Sequence, residues 1–304
     1  GFIVDGQHRA KGVQRAVSIL KDDKDYEHLE RLLDTYVNIS LTLTEDIFKE
    51  AYIFYLINQH AKNVAPDGAT RLMVEGWENG AINFKNEVTR GSSKITRDDI
   101  ECAKIADRLS EHSEVWAARI KDYNEKAAGK VSIRAMALMI KPLFLQVKER
   151  LADKSKKDVE DMTYQLIEIF WLSLRSVFPK MFDDVNGRNY GITKSSQAEV
   201  MMKVLRFIYI QQGNKEWESK GFKFGNIADQ SSWDKVTKTL KTFADDNSAL
   251  PPQNVKGSDC WLVGTSGSMG KYTSAGAKIA IARVLAEHIE AELKITRNNP
   301  QSLI

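Results

Sequence analysis

The sequence predicts an α+β chain: a mixed α/β segment over residues 1–130 followed by a mostly helical segment over residues 131–304. Three observations carry this. Strand-like and helix-like patterns alternate in the first half, 3.6-residue apolar periodicity dominates the second, and ordinary composition supports a buried core throughout. The 304 residues carry a net charge of +3, with 42% hydrophobic and 28% charged residues, which disfavours disordered, collagen-like and coiled-coil chains.

Phe2 to Val4 reads as the end of a buried strand, and Asp5-Gly6 as a turn or capping pair. A short strand needs neighbours for its backbone groups, so part of the domain is expected in sequence preceding Gly1. Ala10, Val13, Val17 and Leu20 then recur at helical spacing. Val37, Ile39, Leu41 and Leu43 alternate with polar residues as in a half-buried strand, and Thr44, Glu45 and Asp46 open a helix through Ile47, Ala51, Phe54 and Asn58. Pro66 starts a further helix toward Trp77, ended by Asn79-Gly80.

Residues 98–124 place Cys102, Ile105, Leu109, His112, Trp116 and Ile120 on one stripe, predicting a long amphipathic helix with His112 in the core. Helices are predicted over 133–151, interrupted at Pro142, over 158–178, over 198–210 and from about 274 to 293. Residues 183–191 and 213–232 read as loop and connector, and Cys260 to Val263 as a short strand after the Pro251-Pro252 break.

Several function classes are excluded or weakened at this level. The apolar run Ala51 to Ile57 is seven residues, against roughly 20 needed to cross a bilayer. Cys102 and Cys260 stand far apart without a CxxC pair, which suits a reducing compartment, and cytoplasm is the expected location. The five histidines, at 8, 28, 60, 112 and 288, have no paired metal-ligand spacing, so no metal site is predicted from them. Gly264 to Lys271 (GTSGSMGK) fails as a Walker A loop: Thr265 stands where the first Gly is needed and Tyr272 where Ser or Thr must follow Lys271.

Asp5-Gly6-Gln7-His8-Arg9 carries the most information. It falls where a strand turns into a helix, and the first helical turn offers unpaired N–H groups and partial positive charge to an anion. His8 and Arg9 add donors there, and Arg forks suit phosphate. Asp5 is open to three roles: capping the helix, holding Arg9, or acting on a metal-bound water. The second candidate region is basic. Residues 130–157 hold eight basic and two acidic residues, and Arg134, Lys141 and Lys148 fall at heptad spacing with Arg150 nearby. Such a stripe can follow DNA phosphates.

The stretch from Phe2 to Val13 resembles the DGQHR-domain family, whose nearest relatives are the DndB-like proteins of DNA phosphorothioation systems. More widely it is similar to the ParB and sulfiredoxin superfamily. A looser similarity runs from Phe54 to Val64, an apolar helix ending in Asn and then Lys. The resemblance implies a small ParB/sulfiredoxin-like mixed α/β domain, truncated at its N-terminus, over residues 1–130. It further implies a pocket where Gly6, Gln7, His8 and Arg9 meet phosphate, joined by Asn58 and Lys62. Gln7 stands where sulfiredoxin carries its cysteine, so sulfinic-acid reduction is disfavoured. The expected function is a DNA-binding regulator tied to a DNA-modification or phage-defence system. The alternatives are an NTPase of such a system, binding a nucleoside triphosphate with Mg²⁺ and using Asp5 and His8 catalytically, and a non-catalytic scaffold in a modification complex. Expected partners are DNA, proteins of the modification complex, and a second copy of the chain.

Overall fold

The computed structural model describes residues 7–34, 70, 74–78, 88–90, 93–117, 119–121, 130–183, 189–221, 230–246, 254–264 and 266–296. Its contacts divide the chain into two units, residues 1–94 and 95–304. The predicted strands at 2–4 and 37–43, the helix of 44–58, and residues Asp5, Gly6, Asn58 and Lys62 lie outside the described residues.

In the first unit, α1 (Gln7–Asp22) and α2 (Tyr26–Leu33) pack together. Lys24 takes a left-handed conformation (φ 58°) in the turn between them. Asp25 caps α2, its carboxylate accepting from the backbone N–H of His28 at 3.2 Å. Residues 70 and 74–78 are helical, in the expected neighbourhood of Trp77. Short strands β1 (Val88–Arg90) and β2 (Ser93–Ile95) pair as a two-stranded sheet.

The second unit is helical. α3 (Arg97–His112) opens on a capping box between Thr96 and Asp99. β3 (Ile120–Lys121) and β4 (Val131–Ser132) form a parallel pair in register Ile120 to Val131. α4 (Ile133–Arg150) follows at once, with the Ser132 hydroxyl as its cap. Then come α5 (Lys156–Val177), the short α6 (Pro179–Asp183), α7 (Ser195–Ile210), the short α8 (Lys215–Ser219), α9 (Gln230–Thr239) and α10 (Ala275–Glu292). α4 is the hub: it packs against α3, α5 and α7, while α10 lies on α7 and α9 on α5. Its buried face, with Met136, Ile140, Leu143 and Val147, meets a core in which Trp116 and Trp171 stack edge to face at 4.7 Å. The described residues are thus mainly helical with small strand pairs, an α+β chain. No helix among them is long and apolar enough to cross a membrane.

Three expectations are corrected. α4 runs through Pro142 without a break. Proline costs the hydrogen bond to the carbonyl of Leu138, but Leu138 is 57% exposed, so water can serve that carbonyl, and burial of Leu143, Phe144 and Val147 holds the next turns in place. α3 stops at His112 rather than continuing to 124, because Ser113 turns extended and its hydroxyl accepts from the N–H groups of Val115 and Trp116. Trp116 and Ile120 therefore enter the core from a turn and from β3, and His112 faces solvent, 3.5 Å from Glu111. Cys260 to Val263 is not a strand. Gly257–Trp261 is a 3₁₀ turn, and only Leu262 bridges to Tyr190. The contacts divide the chain at Lys94, and α3, which packs on α4, lies in the helical unit.

Candidate phosphate site and basic helix

Gln7, His8 and Arg9 are the first described residues of α1, and a helix start presents unpaired backbone donors. The following residues Lys11, Gln14 and Arg15 are exposed. The turn thus has the polarity that an anion prefers. Its predicted companions Asp5, Gly6, Asn58 and Lys62 fall outside the described residues.

The basic stripe of α4 is well defined. Lys141 Nζ lies 2.6 Å from Asp99 Oδ1, and Lys148 Nζ 2.6 Å from Asp98 Oδ1. The heptad spacing thus aligns two lysines with two consecutive carboxylates in the first turn of α3, where negative charge also suits the helix dipole. Burial works against the Asp99 carboxylate, but hydrogen bonds from Lys141 and Thr96 outweigh it and hold its pKa below the ordinary value. Arg150 donates to Gln212 Oε1 at 2.8 Å and to the Ile210 carbonyl at 3.0 Å, with its guanidinium 4.8 Å over the Tyr209 ring. Arg134 sits half-buried in the first turn of α4. Lys141, Lys148 and Arg150 are therefore tied into the fold, and reaching a phosphate requires exchanging those partners.

One charged cluster escaped the sequence reading. Glu101 of α3 is 1% exposed yet ionised, paired with Lys156 and 3.8 Å from Arg97 Nε. Lys156 Nζ also lies 3.6 Å from Glu160. Burial, then the adjoining Glu101 carboxylate, push the Glu160 carboxyl up to about 7, so it holds its proton to near neutrality. Beside this pair lies a cavity of about 370 Å³, also lined by Lys148 and Lys154. The signal in the sequence was the i,i+4 pairing Arg97–Glu101 and Lys156–Glu160. That two separate helices bring these pairs together is invisible without the fold.

The GTSGSMGK segment is built for packing. Gly264 has a left-handed φ of 69°, Gly267 presses on the backbone of Leu262, and Ser268 and Met269 are buried. Among the described residues no group of three or more His, Cys, Asp or Glu side chains is placed to hold a metal ion. The chain matches no family model, no curated protein and no solved structure.

Proposed function

We propose that the protein is a DNA-binding regulator of the DGQHR kind, serving a DNA-modification or defence system in the cytoplasm, with the opening turn of α1 meeting backbone phosphate. The supporting observation is that Gln7, His8 and Arg9 lie in the first described turn of α1, where backbone donors and the helix dipole favour an anion. A nucleotide is the second reading, favoured by one observation: Lys141, Lys148 and Arg150 are held by Asp99, Asp98 and Gln212, which leaves fewer cations for an extended duplex contact. In that reading Arg9 and Gln7 bind the phosphates, and Asp5 orients water or Mg²⁺. A scaffold role for the helical segment in a modification complex is the third.

The deciding experiment measures duplex DNA binding, and ATP, GTP and CTP binding and hydrolysis, in wild type, Arg9→Ala and Asp5→Ala. The regulator reading expects DNA affinity that falls with salt and falls again in Arg9→Ala, whose log-log salt slope is shallower by about 0.9 for each phosphate that the variant no longer neutralises. Hydrolysis by wild type, absent in both variants, overturns it in favour of the NTPase.

A further inference from the structure

A second cavity, of about 420 Å³, opens among α4, α7 and α10, with a lining that shares no residue with the cavity beside Glu101. Among the described residues its polar wall holds Lys203, Arg206 and Lys278 against one carboxylate, Glu199. Glu199 is shared: it pairs with Lys278 and lies 3.7 Å from Lys203. The Lys278 side chain is only 16% exposed. Arg206 Nε is shut off from solvent and has no hydrogen-bond partner among the described residues. Three cations around one anion leave an excess of two positive charges in a partly desolvated space, which costs free energy unless an anion enters. Two helices also begin here, with Ser195 of α7 and Ala275 of α10 on the wall, and α7 starts without a side-chain cap. Their dipoles add to the positive field. The lining also has an apolar part, from Leu138 and Met139 of α4 and Met202 of α7.

We infer that this cavity binds a small organic phosphate monoester, its phosphate on Arg206, Lys203 and Lys278 and its apolar body against Leu138, Met139 and Met202. The charge excess suits a dianion, and an Arg fork matches phosphate geometry better than a point charge does. The volume is that of a small-molecule site, too small for a macromolecule. The methionines give a wall that adapts to an unbranched or flat apolar group.

The test is calorimetric titration of the whole chain with hexyl phosphate, inorganic phosphate and 1-hexanol. One equivalent of hexyl phosphate is expected to bind, with inorganic phosphate at least about tenfold weaker and hexanol undetected, since both walls contribute. Arg206→Gln and Lys278→Gln are each expected to weaken hexyl phosphate by about tenfold. Arg108→Gln, on α3 and paired with Asp161, controls for loss of a surface charge and leaves binding unchanged. Leu138→Glu keeps the test decisive if the buried substitutions unfold the chain. Leu138 is 57% exposed, so the variant folds, and its carboxylate repels the ligand. Wild type that does not take up hexyl phosphate, or equal affinity in wild type and Leu138→Glu, overturns the assignment whatever the fate of the DNA-binding reading.

Discussion

Glu160→Gln is the sharpest test of the electrostatics. In the folded chain Glu160 holds its proton to about pH 7, because burial and the adjoining Glu101 carboxylate oppose its ionisation, whereas the unfolded chain releases it near the ordinary value of 4.5. Between those values the folded state binds more protons than the unfolded, so stability falls as pH rises from about 4.5 to about 7 and levels off above. Glu101 shifts the other way: burial opposes its ionisation, but hydrogen bonds from Glu160 and Lys156 prevail and lower its pKa. Its opposite contribution is confined to the lower edge of the window, near the ordinary value of 4.5, and is shared by wild type and variant. The limiting slope is about 1.4 kcal/mol per pH unit. With Glu160 19% exposed and Lys156 shared by both carboxylates, a total of about 2 kcal/mol between pH 5 and 7 is expected. Glutamine keeps a donor for Glu101 and cannot ionise. Urea denaturation at pH 5, 6, 7 and 8 should therefore show the two proteins diverging across pH 5 to 7, with the variant more stable by about 2 kcal/mol at pH 8. Comparison of the two cancels the histidines, which both proteins share. Parallel pH profiles would refute the shared-proton arrangement.

Two further outcomes follow from packing. A Cβ at Gly267 would overlap the carbonyl oxygen of Leu262 and lie 2.7 Å from its nitrogen, so Gly267→Ala is expected to lower stability by about 3 kcal/mol in thermal or urea unfolding. An unchanged midpoint would mean that this turn is free to open. The thiols of Cys102 and Cys260 are buried, and desolvation raises both, Cys260 to about 11. Neither is expected to react with Ellman's reagent in the native protein, and both react once it is unfolded.

Local chemistry was legible in the sequence wherever one helix decides it. Apolar periodicity at Ile133 to Val147 and Leu166 to Leu174 marked α4 and α5, and the helix expected from about 274 to 293 is α10. The fate of Pro142 was not legible there, since buried side chains on the following turns outweigh its missing hydrogen bond. Nor was the exit of Trp116 from the helical stripe, which a single Ser113 hydroxyl redirects. Charge is where sequence informs least. Lys141 and Lys148 read as a stripe for DNA because their spacing is helical, but α3 sets Asp99 and Asp98 opposite them across some 40 to 50 residues of chain. The sequence by itself placed the main helices of the described residues, because propensity and periodicity act over a few residues. Only the tertiary structure decided which charges are paired, which carboxyl keeps its proton and which cations face a cavity in excess of their carboxylate, because those depend on distances and burial between elements far apart in the chain.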